Sequence, residues 1–135
     1  MSENWVRDIA GMHKHYGVND KIAEFDAEKL KQYLDFRIKF LDEELNETKK
    51  AVREKDAEEI VDGLIDLCVV AIGTLESMGV NSYIAWDRVL RANLAKKVGI
   101  KESRPNPLGL PDLIKPDGWQ APSHRHNHGL LSKLK

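Results

Sequence analysis

The sequence contains one cysteine, Cys68, among 135 residues. Because a lone cysteine cannot form an intrachain disulfide, a disulfide-stapled extracellular fold is excluded. The N-terminus lacks a basic segment followed by an apolar one, so no secretory signal is expected. The longest apolar run, around residues 67–72, is far shorter than the roughly 20 residues that cross a bilayer. These absences predict a cytoplasmic protein that does not enter a membrane.

An excess of charge of either sign is also missing, since 21 Lys and Arg oppose 22 Asp and Glu for a net charge of −1. This balance disfavours a protein that binds nucleic acid mainly through bulk positive charge. Charged residues still make up 32% of the chain and apolar residues 41%. That mixture is typical of solvated helices around one core, and the length predicts a single domain.

Proline is absent from the first hundred residues, because all five prolines lie beyond Gly99. In this proline-free part, apolar residues recur at steps of three and four, which predicts amphipathic helices. Asp26 and Asp56 are placed to cap the second and third helices, and a break is expected at residues 17–20. No stretch has the period of a strand, so the predicted class is all-α, with three to four main helices. The predicted helices cover about residues 5–16, 27–54, 57–78 and 82–98.

The third predicted helix is apolar almost all round, which is typical of the central and most buried helix of a bundle. A bundle of this size cannot cover such a helix on every side, so one face is expected to remain open. A second copy of the chain is the natural cover for it. The sequence therefore predicts a homo-oligomer, either a homodimer or a homotetramer.

The proline-rich residues 101–135 form a segment of different character. Prolines at this density leave no room for a long helix, so we expect an extended C-terminal arm, loose from Ser123 onward. The arm is predicted to belong to the same domain as the helical, catalytic residues 1–100. Three alternating histidines near its end are compatible with a transition-metal site or with a solvated tail; they are His124, His126 and His128.

Six carboxylates stand out against the apolar pattern of the second and third predicted helices. Spacings of three and four residues place those on each helix along one face. Two of them, Asp62 and Asp66, lie in the most apolar stretch of the chain, where an unpaired charge is costly. A tight turn near Lys55 predicts antiparallel helices, so the two sets should face each other. The six are Glu43, Glu44 and Glu47, followed by Glu59, Asp62 and Asp66.

Converging carboxylates without nearby bases indicate a hard-cation site, which Mg²⁺ or Mn²⁺ would fit together with water and a phosphate ligand. The alternative is a solvated helix face paired with Lys39, Lys50 and Arg53, with Glu59 acting only as a helix cap. A di-iron bundle needs Glu-x-x-His pairs on facing helices. No histidine lies between residues 16 and 123, so that interpretation is excluded.

Residues 43–47, which read Glu-Glu-Leu-Asn-Glu, and 59–62, which read Glu-Ile-Val-Asp, resemble the EExxE…ExxD signature of the MazG-like all-α nucleoside triphosphate pyrophosphohydrolases. Residues 91–96 are similar to the aNmxK helix of the phosphoribosyl-ATP pyrophosphohydrolase-like branch. Residues 115–122 are similar to the KPxGWxxP arm of the same branch. The resemblance covers most of the chain, from about residue 36, and implies a MazG-like helical bundle.

The resemblance also implies a reaction, in which a nucleotide is hydrolysed between its α and β phosphates to give the monophosphate and pyrophosphate. It implies a catalytic role for Glu43, which would help to hold a second ion or orient the attacking water. Mg²⁺ is the implied cofactor, with Mn²⁺ as a substitute. The implied metal ligands are Glu44, Glu47, Glu59 and Asp62.

Substrate contacts are predicted from the third helix, the fourth helix and the arm, of which the resemblance implies those from the fourth helix and the arm. Asp66 would read a base edge or support the metal ligands, and the lysines would meet phosphates. Two alternatives remain open: Lys97 could serve only the helix dipole, and Trp119 could serve only to fix the arm to the bundle. The predicted substrate residues are Asp66, at a position where members of the family vary, and Asn93, Lys96, Lys97, Lys115 and Trp119.

The expected partners are a nucleotide substrate and further copies of the chain, with neither nucleic acid nor a membrane. A second function stays open at this stage. The chain could be a non-catalytic dimeric helical scaffold or regulator, whose acidic cluster binds a structural ion or a partner. Pyrophosphate release from a panel of nucleotides separates the two.

Overall fold

The structure, a computed structural model, describes residues 1–104 and 107–134. Within these residues the chain is mostly helical, which confirms the predicted all-α class, and no single helix has the length and apolar character needed to cross a bilayer. Two short strands and a 3₁₀ turn complete it. The elements are α1 (Trp5–His15), α2 (Val18–Ala23), α3 (Ala27–Arg53), α4 (Ala57–Ser77), α5 (Ser82–Leu94), β1 (Lys97–Gly99), β2 (Asp112–Ile114) and a 3₁₀ helix (Gly129–Lys133).

The two long helices begin where the sequence predicts. The Asp26 carboxylate accepts a hydrogen bond from the Lys29 backbone N–H at 2.8 Å, and the Asp56 carboxylate accepts one from the Glu59 N–H at 3.1 Å. Each bond satisfies a backbone donor that the first helical turn leaves without a partner. Between the helices Lys55 adopts a left-handed conformation, with φ of 56°. The chain therefore reverses sharply, and α3 and α4 pack along each other as an antiparallel pair.

The prediction that residues 17–20 only break the chain is wrong in part, since α2 begins at Val18. The break is confined to Tyr16 and Gly17, and Gly17 has φ of 69°. Ile22 is 3% exposed and packs against Leu30, while Val18, one helical turn earlier, packs on the same cluster. Six residues form a helix here because its apolar side is buried, since a helix this short is not stable by propensity alone.

Contacts divide the chain into two compact units, the first formed by Met1–Ser82 with the residues from His128, the second by Tyr83–Asn127. The first unit has a core in which buried side chains from three segments meet. Partly buried apolar residues from α3, α4 and the C-terminus surround it. The buried members are Ile22, Leu30, Met78 and Val80.

The C-terminal 3₁₀ helix packs on this core, in a stretch that the sequence leads us to expect loose. Leu130, Leu131 and Leu134 contact the core, and the Leu130 N–H donates to the Met78 carbonyl oxygen at 2.6 Å. Three leucines in eight polar-flanked residues do not predict a helix, yet their burial offsets the entropy of ordering the chain end.

Gly129→Ala is expected to weaken this docking. Gly129 has φ of 53°, and a Cβ there would collide with the Met78 carbonyl oxygen and lie 2.8 Å from the Gly79 carbonyl carbon. Gly109→Ala is the matched control, because Gly109 has φ of 65° but open space around it. Urea unfolding should show a loss for Gly129→Ala that exceeds the control by roughly 1–2 kcal/mol. Equal losses would show that left-handed strain is the whole effect.

Helix α4 is only partly buried. Val61, Leu64 and Ile65 are 64%, 52% and 41% exposed, so α4 leaves an apolar side open, although it still has more buried residues than any other described helix, as the sequence predicts. The neighbouring α3 exposes apolar residues at seven-residue spacing, a repeat that keeps them on one side of a helix. We call these residues the open apolar face; they are Ile38, Leu45 and Val52 of α3 with Val61, Leu64 and Ile65 of α4.

The second unit contains a small antiparallel sheet that the sequence does not predict. Helix α5 ends at Leu94, four residues earlier than expected, and Lys97 pairs with Ile114 as β1 meets β2. The Leu113 backbone N–H donates a hydrogen bond to the Asp112 carboxylate, and the Arg104 guanidinium donates another at 3.0 Å. Both bonds hold the pKa of Asp112 below its usual value. The pairing joins residues far apart in sequence, which period-two patterning over three residues cannot reveal.

A half-buried histidine in the first unit, His13, is expected to make stability depend on pH. His13 Nε2 lies 2.8 Å from where a Cβ on Gly73 would stand. Burial first, and the Arg37 charge second, lower the pKa of His13, while the Glu76 charge and the neighbouring Asn19 side chain oppose the shift.

A lowered histidine pKa means that the folded state favours the neutral ring. The stabilisation is complete above the unfolded value near 6.5 and is lost as the pH falls below it. The unfolding temperature of the wild type should therefore fall as the pH is lowered from 7.5 to 5.5. His13→Gln should remove part of that pH dependence. His15→Gln, at an exposed histidine of the same helix, is the control. A profile unaffected by His13→Gln would contradict this account.

Candidate active site

The geometry of the acidic region is set where α3 and α4 cross. Thr48 and Gly63 are both buried and face each other, and a Cβ on Gly63 would collide with the Thr48 hydroxyl oxygen. That hydroxyl donates a hydrogen bond to the Glu44 carbonyl oxygen at 2.8 Å. The two backbones therefore approach as closely as a glycine allows, and the residues on either side of the crossing are held in register.

Counting outward from this crossing explains which acids come together. In an antiparallel pair, Glu44, four residues before Thr48, comes beside Asp66, three residues after Gly63. The electrostatics agree: burial raises the pKa of Glu44, and the Asp66 charge is the next largest cause. Smaller contributions in the same direction come from Glu47, Asp62 and Glu43. Four of the other five predicted acids are thus near enough for their charges to act on the Glu44 carboxylate.

Glu59 lies apart from this group. It stands in the first turn of α4, its N–H is bonded to the Asp56 carboxylate, and its side chain is exposed. Its charge is not among those that raise the pKa of Glu44. Its assignment as a metal ligand stays a prediction.

The carboxylates near Glu44 supply the type of ligand, negatively charged oxygen, that a divalent cation such as Mg²⁺ prefers. No ion pair found among the described residues includes any of the six acids; Lys50, offered as a partner in the solvated-face alternative, lies 3.9 Å from Glu54 instead. Across residues 1–104 and 107–134, no three His, Cys, Asp or Glu side chains lie close enough to hold a metal ion. Like charges repel one another, so the carboxylates would have to move closer together to hold a cation.

The predicted substrate residues of the second unit fall into two groups. The Trp119 indole N–H donates to the Ala92 carbonyl oxygen at 2.7 Å, so Trp119 does fix the arm to α5. The Lys96 and Lys115 ammonium groups lie 5.2 and 5.0 Å from the centroid of the same ring. Lys97 is different: it is exposed and belongs to β1, beyond the end of α5, so the helix-dipole alternative does not describe it.

Asn93 is half-buried near the end of α5, where its carbonyl oxygen accepts a hydrogen bond from the Lys96 N–H at 3.1 Å. This contact places the asparagine and the lysine of the predicted aNmxK motif in one turn. The motif is therefore locally ordered.

Sequence reasoning missed Thr48 and Gly63, which hold the acids in place without contacting a substrate. A glycine in the middle of an apolar helix is a signal for close backbone approach. The partner on α3 could not be read from the sequence, because a threonine between acids and lysines has no distinguishing pattern.

Comparison with protein families decides what this arrangement belongs to. A family model described as phosphoribosyl-ATP pyrophosphohydrolase matches residues 16–93, more than half of the chain. The chain belongs to the phosphoribosyl-ATP pyrophosphohydrolase family. The resemblance found in the sequence is thereby confirmed, and the family is one of nucleotide pyrophosphohydrolases. Neither the curated proteins nor the solved structures contain a match to this chain.

The matched residues contain all six acids and Asn93, but they end before Lys96. The basic and aromatic residues of the arm are therefore outside what the family match covers. Their roles stay predictions that depend on the local geometry of the second unit.

Proposed function

We propose that this chain hydrolyses a (d)NTP-like nucleotide between its α and β phosphates, with Mg²⁺, to give the monophosphate and pyrophosphate. Family membership supports pyrophosphohydrolysis in general. The observation that carries the finer proposal is the group of carboxylates around Glu44, held by the Thr48–Gly63 crossing and without a paired base among the described residues. Such a group attracts a cation and repels a bare polyanion.

In this proposal Glu44, Glu47 and Asp62 hold Mg²⁺, and Glu59 joins them by turning its exposed side chain. When bound, the ion would neutralise phosphate charge and acidify a water molecule. Mn²⁺ has the same preference for oxygen ligands and would substitute. Glu43 neighbours the ligand Glu44 and would accept the proton of the attacking water or orient it.

The remaining residues would position the nucleotide. Lys96, Lys97 and Lys115 supply ammonium groups for phosphate oxygens, and Asn93 supplies amide donors. Asp66, beside Glu44, would accept a hydrogen bond from a base edge or steady the ligand next to it. Trp119 would contact the nucleotide while fixing the arm to α5.

The first test is pyrophosphate release from canonical and modified (d)NTPs and from phosphoribosyl-ATP, with Mg²⁺ and with EDTA. We expect monophosphate and pyrophosphate in equal amounts from at least one of them, and no release in EDTA. Release of orthophosphate would place the cleavage elsewhere. If no nucleotide were hydrolysed while the oligomer stayed intact, the non-catalytic scaffold would become the better function.

We further propose that the protein is a homodimer or a homotetramer joined through the open apolar face. Six apolar side chains on two packed helices, each more than two-fifths exposed, are unusual for a monomer of this size. Sedimentation at micromolar concentration should show a dimer or larger species, and Leu64→Glu should dissociate it. Val98→Glu, on exposed strand β1 of the second unit, is the matched control. A stable wild-type monomer would contradict the proposal.

A further inference from the structure

The second unit contains an open cleft of about 700 Å³ between one side of α5 and arm residues 116–126. Its lining is strongly basic for a chain with a net charge of −1. Three of the seven arginines in the sequence line it, together with His126, against one acid, Asp117. The arginines are Arg88, Arg91 and Arg125.

Local contacts hold these arginines while leaving most of their donors for a ligand. Arg88 donates from one terminal nitrogen to the Arg125 carbonyl oxygen at 3.2 Å, which steadies the turn that carries Arg125. Arg91 donates from Nε to the Asp87 carboxylate at 2.9 Å, one helical turn away. A guanidinium has five N–H donors, so each of these bonds orients an arginine without exhausting it.

The cleft wall is fixed as well. Trp119 lines the cleft, and its indole N–H donates to the carbonyl oxygen of Ala92, which also lines the cleft. Gly118, with φ of 77°, lies in the turn that is closed by a hydrogen bond from the Trp119 backbone N–H to the Pro116 carbonyl oxygen at 3.0 Å. The arginines therefore line a walled cleft rather than a free loop.

This cleft uses a different side of α5 from the one that carries Asn93. Arg88, Arg91 and Ala92 line it and lie on one side of α5, and Ala95, just beyond the end of the helix, lines it too. Asn93 lies about 140° round the helix from Arg88, from 3.6 residues per turn. The cleft is thus a feature that neither the acids nor the aNmxK asparagine accounts for.

We propose that the cleft binds a small oligophosphate anion, with pyrophosphate as the simplest example. Planar guanidinium groups match phosphate oxygens two at a time, which lysines cannot do. Three of them around one cleft suit an anion with two linked phosphates better than a single monoanion. The phosphates could come from free pyrophosphate or from the polyphosphate chain of a nucleotide.

The test is calorimetric titration of the full chain with pyrophosphate in EDTA, where cation-assisted binding at the carboxylates is absent. Arg91→Gln and Arg125→Gln should each weaken the affinity roughly tenfold, the usual size of a lost charge-assisted contact. Arg7→Gln is the control, because Arg7 is exposed in the first turn of α1 and is absent from the cleft. Circular dichroism confirms that each variant is folded.

Further titrations identify the source of the phosphates. Equal affinity for ATP and pyrophosphate would indicate recognition of the free anion, and preference for ATP would indicate the polyphosphate chain of a nucleotide. Binding of AMP as tight as that of ATP would overturn the proposal, as would arginine variants with wild-type affinity or no binding to the wild type at millimolar pyrophosphate. Since no hydrolysis is measured, and Glu47→Gln should bind pyrophosphate normally in EDTA, this result is independent of the proposed activity.

Discussion

Glu47→Gln and Asp62→Asn are each expected to reduce pyrophosphate release by roughly a thousandfold, the scale on which loss of one transition-state stabilising group acts. Both residues lie one position from the Thr48–Gly63 crossing, and both charges act on Glu44. Each substitution keeps the shape of the side chain and removes one negative charge. The fold should stay intact or gain stability, because a repulsion between like charges disappears.

Two measurements separate loss of metal from loss of structure. The wild type should unfold at a higher temperature when Mg²⁺ is added, since a ligand that binds only the folded state stabilises it. The variants should show a smaller rise. Glu58→Gln is the control, because Glu58 is an exposed acid in the first turn of α4 and does not belong to the predicted site. Near-normal turnover in both variants would remove Glu47 and Asp62 from the site.

Gly63→Ala is expected to damage both stability and turnover. The added methyl would overlap the Thr48 hydroxyl and lie 3.3 Å from the Thr48 Cβ, in a buried contact with no room to give. Overpacking of this kind costs about 1–3 kcal/mol. Pushing the helices apart also moves the acids of α3 away from those of α4, and displacement near 1 Å can cost roughly a hundredfold in rate.

The partner substitution makes this expectation specific. Thr48→Ala removes the hydroxyl that Gly63→Ala would strike, so the double variant should recover much of the lost stability. Gly11→Ala is the control, because Gly11 lies in helix α1 with no atom within 4 Å of its added methyl. It should gain about 0.5–1 kcal/mol, as alanine favours helices. Urea unfolding and turnover are measured for the wild type, the two single site variants, the double variant and the control. Additive effects of the two site substitutions would contradict the clash.

What the sequence determined by itself is local. Capping by Asp26 and Asp56 and the apolar spacing between them predict α3 and α4 almost to the residue, because a helix start needs only its own first turn. The same spacing places three acids on one face of each helix. The ordered acidic motifs, which lie within the matched residues 16–93, also indicate the family.

What only the tertiary structure decided depends on contacts between distant residues. The close approach of Thr48 to Gly63 selects five acids for the group around Glu44 and leaves Glu59 outside it, a difference that helical periodicity does not contain. The C-terminal leucines look like a solvated tail until the Met78 carbonyl and the first-unit core are placed beside them. The helix crossing and the docking of the C-terminal leucines both depend on contacts with residues far away in the sequence. The local sequence pattern does not indicate which distant residues these are.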